Sequence, residues 1–134
     1  MANALYPKWK EQLLQFTSNN NLSSGTVKVA LIDTGTYTYS SSDQFWSAAS
    51  SASVGTPQTI GSKTFTNGTF DGADVTFSAV TGSSVEALII FIDTGNSATS
   101  PLVAFIDTSV TGLPVTPNGG DINITWNASG IFAL

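Results

Sequence analysis

The stretch from Val85 to Ile92, Val-Glu-Ala-Leu-Ile-Ile-Phe-Ile, decides the fold class of this chain. Its last six residues are all apolar, so an extended strand here carries hydrophobic side chains on both faces. Short apolar runs of this kind are typical of strands that are buried on both sides of a sheet. The sequence therefore predicts a central β-strand. The run is also far too short to cross a bilayer as a helix.

Shorter strand patterns surround this central strand. Alternating or apolar segments predict strands at 26–32, 63–66, 73–80, 102–106, 121–127 and 131–134, separated by Gly, Pro and Asn turn signals such as Asn67-Gly68. A short helix carrying Phe45 and Trp46 is predicted within 37–52, capped by Ser41, Ser42 or Asp43. Many short strands with such turns indicate a mainly β fold, an antiparallel β-sandwich, with a jelly roll as the first choice.

The first segment, residues 3–16, is predicted to be an α-helix. Pro7 suits the first helical turn, where its missing N–H costs nothing. Leu5, Trp9, Leu13 and Phe16 form one apolar stripe at three- and four-residue spacing. The following Thr-Ser-Asn-Asn-Asn-Leu-Ser-Ser predicts a flexible polar tether. We therefore divide the chain into residues 1–24, helix and polar linker, and 25–134, the β-sandwich domain.

Composition excludes several functional classes. The chain has 134 residues, 4 Lys, no Arg, no His and no Cys, and a net charge of −5. Four lysines make no basic patch, so we expect no nucleic-acid partner. Without Cys or His, the usual zinc sites, a thiol nucleophile and the Ser-His-Asp triad are excluded. No apolar leader precedes Lys8, so we expect synthesis in a cytoplasm without secretion. We also expect no membrane partner and no cofactor.

One motif suggests catalysis. Leu31-Ile32-Asp33-Thr34-Gly35 is repeated as 91–95 and imperfectly as 105–109, and Asp-Thr-Gly after two apolar residues is typical of aspartic proteases. That chemistry needs two carboxylates that share one proton. The chain is too short for two protease lobes, and the supporting apolar-apolar-Gly segment is missing. We therefore interpret Asp33 and Asp93 as strand-end turn residues, and predict no catalytic residues.

Other candidate sites also have simpler explanations. Asp71 and Asp74 flank a turn but lack the regular spacing of a calcium loop, so no metal site is predicted. The Asn-X-Ser/Thr triplets are expected to be unglycosylated; they begin at Asn21, Asn67, Asn123 and Asn127. An aromatic cluster suggests either a sugar-binding platform or core packing, and we favour the core; it comprises Tyr37, Tyr39, Phe45 and Trp46.

Apolar groups near both ends of the sequence are candidate interface residues. The predicted helix either covers one end of the sandwich or docks on a partner. The last four residues, Ile-Phe-Ala-Leu, are apolar where chain ends are usually polar, which indicates a strand held in a sheet or an interface. The interface candidates are therefore Leu5, Trp9, Leu13, Phe16, Ile131, Phe132 and Leu134.

Several segments resemble a group of small virion proteins of tailed bacteriophages. The resemblance covers nearly the whole chain and contains no catalytic motif. Its segments are Ala-Leu-Tyr-Pro-Lys-Trp-Lys at 4–10, Val-Lys-Val-Ala-Leu-Ile-Asp-Thr at 27–34, Tyr-Thr-Tyr-Ser at 37–40, Phe-Asp-Gly-Ala-Asp-Val-Thr-Phe at 70–77, Glu-Ala-Leu-Ile-Ile-Phe at 86–91 and Leu-Pro-Val-Thr-Pro-Asn-Gly-Gly-Asp at 113–121.

The resemblance implies a non-enzymatic virion structural protein. By analogy with other small β-rich phage proteins, we expect a capsid decoration (cement) protein that binds the major capsid protein on the outside of the head. Its acidic balance fits an exterior location, and a homo-oligomer, trimer or dimer, is expected on a symmetry axis. The alternatives are a tail, neck or fibre component, a carbohydrate-binding adhesion module, and the Asp-Thr-Gly hydrolase.

Overall fold

The computed structural model describes residues 3–134, and the fold is mainly β with one short α-helix. The elements follow in the order β1 (Ala4–Leu5), α1 (Pro7–Gln15), β2 (Thr26–Ile32), β3 (Ser53–Thr59), β4 (Thr69–Phe70), β5 (Val75–Phe77), β6 (Ala87–Asp93), β7 (Leu102–Ile106), β8 (Ile122–Ile124) and β9 (Phe132–Ala133).

A five-stranded antiparallel sheet, ordered β1-β7-β6-β2-β3, forms the centre of the molecule. The register of β2 against β6 runs from the pair Thr26–Asp93 to the pair Ile32–Ala87. Every residue of β7 is buried, and so is every residue of β6 before Asp93. The predicted central strand is therefore confirmed, as are the strands at 26–32 and 102–106.

The remaining strands form two short antiparallel ladders, β4 with β9 and β5 with β8, and the sheets do not close. The strand predicted at 73–80 is shorter because Ala79 has a left-handed φ of 50°. The one predicted at 63–66 is wrong: only a bridge joins Thr64 to Asp71, around a turn in which Asn67 and Gly68 both have positive φ.

Strand β3 is absent from the predictions, because its sequence does not look like a strand. Gly55 and Pro57 interrupt it, and both residue types disfavour regular pairing. They lie where the β2–β3 register shifts, between the pairs Val29–Gln58 and Leu31–Val54. The irregularity makes β3 a poor template for another strand, which is how sheet edges are commonly protected.

The N-terminal segment differs from the predicted helix over 3–16. Ala4 and Leu5 form a strand that pairs with β7, and the helix begins only at Pro7. Leu5 is therefore a half-buried strand residue and not part of a helical stripe. Pro7 explains the boundary, since the residue before a proline favours extended backbone, and Tyr6 has a ψ of 123°.

Residues 3–24, the described part of the N-terminal segment, pack against the rest of the chain. Tyr6 and Trp9 belong to the same hydrophobic cluster as the central sheet. The expected flexible tether is instead a folded loop, in which Asn20 is buried and its Nδ2 donates to two carbonyl oxygens, those of Thr17 and Ser18. The Lys63 ammonium also donates to the carbonyl oxygens of Leu22 and Gly25, at 2.6 and 2.8 Å.

The segment 37–52 covers one side of the central sheet. Its predicted helix is two short 3₁₀ turns, Trp46–Ala48 and Ser50–Ala52, neither of which has a side-chain cap. Trp46 stacks on Phe91 with ring centroids 4.3 Å apart. Tyr37 is also buried, so the core interpretation is confirmed for Tyr37 and Trp46, whereas Tyr39 and Phe45 are half-buried.

Candidate functional site

The two Asp-Thr-Gly loops lie at opposite ends of the central sheet. Asp33 follows the end of β2 that pairs with Ala87, whereas Asp93 pairs with Thr26 at the other end. A strand rises about 3.4 Å per residue, so the two carboxylates are roughly 20 Å apart. They therefore do not form, within one chain, the proton-sharing pair that aspartic protease chemistry requires.

Each of these aspartates stabilises its own turn. The Oδ1 atoms of Asp33 and Asp93 accept hydrogen bonds from the N–H groups of Gly35 and Gly95, at 2.9 and 2.8 Å. The Lys28 ammonium, 2.7 Å from Asp93 Oδ2, and then the Gly95 N–H lower the pKa of the Asp93 carboxyl. This is the turn role that the sequence interpretation assigned to both residues.

Glu86 supports the first loop from the neighbouring strand. Its Oε1 accepts hydrogen bonds from both the N–H and the hydroxyl of Thr34, each at 3.0 Å. A hydrogen bond from Ser84, and then those from Thr34, lower the pKa of the Glu86 carboxyl. The group is thus held ionised as an acceptor.

The remaining acidic candidates also bind backbone groups. Asp74 Oδ1 accepts from the Trp126 N–H at 3.0 Å, while Trp126 Nε1 donates to the Ala73 carbonyl oxygen. Asp71 Oδ1 accepts from the Gly72 N–H. Across residues 3–134, no group of three or more acidic side chains is arranged to hold a metal ion. In the same residues, no helix is long and apolar enough to cross a membrane.

A buried row of hydroxyl groups joins the N-terminal segment to the 37–52 segment. The Tyr37 hydroxyl donates a hydrogen bond to Asp43 Oδ2 at 2.8 Å. The Tyr37 oxygen therefore accepts a hydrogen bond from the Tyr6 hydroxyl, also at 2.8 Å. Burial, above all, raises the pKa of Tyr37 to about 12 and that of Tyr6 further still. The Tyr6–Tyr37 bond is buried and the Tyr37–Asp43 bond is part-buried, so the row joins the two segments across the core boundary.

The main concave feature is an apolar groove of about 630 Å³ at the C-terminal end of α1, which we call the helix-end groove. Four large hydrophobic side chains in the described residues are exposed, and three of them line it: Phe16 at 95%, Leu134 at 71% and Phe65 at 41%. None of the lining side chains is charged; the others are Trp9, Gln12, Leu13, Thr17, Ser18, Asn19, Asn20, Asn21, Leu22 and Ser23.

Two structural features create this groove. The helix ends at Phe16, which has a left-handed backbone, φ 57° and ψ 40°, and turns the chain into the folded loop. Behind the groove, a row of aromatic rings runs from the surface to the core: Phe65 contacts Phe70, Phe70 contacts Phe132, and Phe132 contacts Trp9, with centroids 5.2 to 5.8 Å apart. The groove therefore has a wall backed by packed aromatic rings and an exposed apolar rim.

The wall also contains two buried polar atoms that have no hydrogen-bond partner. Trp9 Nε1 is a donor without an acceptor, and Asn20 Oδ1 is an acceptor without a donor. Buried polar groups are nearly always paired, so unpaired ones are uncommon in a folded chain. Both residues line the helix-end groove, which makes this wall the least satisfied part of the core.

The structure divides the predicted interface residues into two groups. Trp9, Leu13, Phe16 and Leu134 line the groove, Trp9 as a buried residue of its wall. Leu5, Ile131 and Phe132 are half-buried; Leu5 lies in β1, and Phe132 lies in β9, which pairs with β4. The C-terminal segment is thus a strand held in a ladder, one of the two outcomes expected for it.

Sequence reasoning missed Phe65 and Asn20, which complete the groove. Phe65 lies 49 residues beyond Phe16 and belongs to a segment that was predicted to be a strand. Asn20 was assigned to the tether. The sequence feature that comes nearest to indicating this groove is Lys63, because the chain has only 4 basic residues. In the structure, the Lys63 ammonium donates hydrogen bonds that hold the loop containing Asn20 in place.

Comparisons with known proteins do not add a family to this description. No protein-family model matches the chain, and no curated protein sequence matches it either.

Proposed function

We propose that this chain is a non-enzymatic virion structural protein, a capsid decoration protein that binds the outer surface of the shell formed by the major capsid protein. The proposal rests on the sequence resemblance to small phage virion proteins and on the kind of site that the chain presents. Three of its acidic side chains, Asp33, Asp74 and Asp93, accept hydrogen bonds from backbone N–H groups of turns and strand ends. Its helix-end groove exposes mainly apolar side chains.

The helix-end groove is the observation that carries this function. Contiguous exposed apolar surface on a small protein marks a site of association. Phe16, Phe65 and Leu134 gather such surface on one face of an acidic chain. A groove with exposed apolar side chains and no charged ones suits a protein partner, which can cover those side chains.

The sandwich architecture is part of the same proposal. In it, the ladders β4–β9 and β5–β8 together form a second layer against the five-stranded sheet. The burial of Phe70, Val75, Phe77, Ile122 and Ile124 supports this arrangement, since these strands turn apolar side chains toward the common core. A rigid two-layer module exposes little flexible chain, which suits a protein on the outside of a particle.

The test is binding to shells. Purified protein is mixed with particles that lack it, sedimented, and quantified in the pellet, with the virion then imaged by cryo-electron microscopy. We expect saturable binding to the head and density at symmetry-related positions on its exterior. Labelling confined to the tail, neck or fibres would overturn the decoration role, and binding to glycan arrays without binding to shells would indicate an adhesion module.

A further inference from the structure

We propose that the helix-end groove takes an extended, uncharged segment of the shell protein, which inserts an apolar side chain and pairs its backbone amides with Trp9 Nε1 and Asn20 Oδ1. This inference rests on the proposed function and deepens it, because it names the chemistry of the part of the shell that the groove holds. The unpaired atoms of the groove wall identify that chemistry.

Trp9 and Asn20 each carry a buried polar atom that has no partner. The two side chains are only 1% and 4% exposed, and Trp9 Nε1 and Asn20 Oδ1 are hydrogen-bonded neither to each other nor to another described residue. A buried polar atom without a partner lowers the stability of a folded chain. An occupant with the matching groups removes this penalty, so the wall favours such an occupant over a purely apolar one.

The two unpaired atoms are of opposite kinds, and this selects the polar group of the occupant. The indole N–H of Trp9 needs an acceptor, and the amide oxygen of Asn20 needs a donor. Each peptide unit of a polypeptide carries one carbonyl oxygen and one N–H, so an extended segment offers both. Main-chain hydrogen bonds combined with a pocket for a side chain are a recurring way to recognise a peptide.

The rest of the groove suits the side chains of such a segment. Its volume of about 630 Å³ lies within the range of clefts that enclose small ligands, about 300–1,000 Å³. Leu13, Phe16 and Phe65 supply apolar surface, and no lining side chain is charged. An ionised side chain would lose its water there without gaining a counter-charge. The segment is therefore uncharged and carries a large apolar residue.

Residues 17–20 shift outward when the segment enters, because neither unpaired atom is exposed to solvent in the free chain. Thr17, Ser18 and Asn19 are exposed and line the groove. Asn20 Nδ2 donates to the carbonyl oxygens of Thr17 and Ser18, within the same loop. A joint shift of these four residues therefore leaves the hydrogen bonds of the Asn20 side chain intact.

Nuclear magnetic resonance of the full chain, with isotope-labelled tryptophan indole nitrogens, tests the Trp9 half of the pairing. The first probe is isocaproic N-methylamide, a leucine-like chain on a secondary amide. We expect its binding to be saturable, with a dissociation constant of about 1–10 mM, and to move the Trp9 indole proton signal to higher chemical shift. The Trp126 indole already donates to the Ala73 carbonyl oxygen, so its signal is the internal control and should stay in place.

The Asn20 half is measured with a second probe, methyl isocaproate, which has the same chain on an ester and no N–H. The wild type should bind the amide about tenfold more tightly than the ester, because a buried acceptor rejects a ligand that lacks its donor. Asn20→Ala should abolish this preference. Asn19→Ala is the matched control and should keep it, since Asn19 lines the same groove with an exposed side chain. A ratio of two affinities within one variant is insensitive to loss of folded protein.

Three results would overturn the pairing: a Trp9 indole signal that does not move, equal affinity of the wild type for the two probes, or a preference that survives in Asn20→Ala. Sedimentation with shells separates this inference from the proposed function. Asn20→Ala should bind shells about tenfold more weakly than Asn19→Ala. An amide preference in a chain that ignores shells overturns the decoration role alone. Shell binding that Asn20→Ala leaves unchanged overturns the segment in the groove alone.

Discussion

The two ends of helix α1 differ in what covers their apolar side chains. At the start, Tyr6 and Trp9 are buried in the common core, and β1 just before them pairs with β7. At the end, Leu14 is 90% exposed and Phe16 95% exposed. The first turn of this short helix thus packs in the core and stabilises the fold, whereas its last turn exposes apolar side chains to solvent. An amphipathic stripe alone does not distinguish these roles, because core and docking residues share the same spacing.

The largest expected effect comes from deleting the N-terminal segment that contains the buried start of α1. Deleting residues 1–24 removes Tyr6 and Trp9 from the core and the β1 strand from the sheet. We expect the remaining chain to lose its cooperative unfolding transition, because small domains have little stability to spare. Circular dichroism and thermal unfolding measure this. A fragment 25–134 that melts cooperatively would show instead that the β part folds alone, as the sequence division at residue 24 predicts.

A single substitution at the same end should be nearly as damaging. Trp9 is 1% exposed and contacts Phe132 edge to face. Trp9→Ala should therefore lower the free energy of unfolding by about 3–5 kcal/mol. Phe16→Ala, at the exposed end, should change it by less than about 0.5 kcal/mol. Urea unfolding of both variants makes the comparison, and equal effects would refute the contrast between the two ends.

Alkaline pH should reduce the stability that the buried tyrosines at the start of α1 contribute. The folded state raises the pKa of Tyr6 and Tyr37 above the ordinary value of 10.0, so it favours their neutral forms. Their contribution to stability is complete below pH 10 and is lost as the pH rises through the folded pKa, about 12 for Tyr37. The urea midpoint should therefore fall above pH 10.

Tyr6→Phe identifies which groups cause that loss. The variant keeps the buried ring but removes the hydroxyl that donates to Tyr37, so it should cost about 1 kcal/mol at neutral pH. The urea midpoint of this variant should then fall less steeply with increasing pH above 10 than the midpoint of the wild type. Parallel curves would show that the Tyr6 hydroxyl does not cause the alkaline loss.

The smallest expected effect is a gain at the exposed end. Phe16→Gly places at φ 57° the residue that adopts this conformation without strain. We expect the free energy of unfolding to rise by about 1 kcal/mol. Thermal unfolding measures this change. A lower melting temperature would mean that the Phe16 ring stabilises its own chain.

Local pattern was sufficient to predict the central strands. The segments 26–32 and 102–106 have the predicted bounds, and the apolar run up to Ile92 is the central strand, because burial on both faces demands continuous apolar sequence. The turn role of Asp33 and Asp93 was also predictable, since an aspartate two residues before a glycine accepts the glycine N–H locally.

Residue types and local patterns alone predict a mainly β fold with a buried apolar strand, turn-forming aspartates, and no His or Cys for the usual zinc sites or for thiol chemistry. The other features depend on contacts between distant segments. Tertiary structure made β3 a strand despite Gly55 and Pro57, and joined Phe16 to Phe65 and Leu134 in one groove. It also put Asp33 and Asp93 at opposite ends of the sheet. These outcomes depend on pairing between distant segments, whose register is set by packing of the whole core and not by any local pattern.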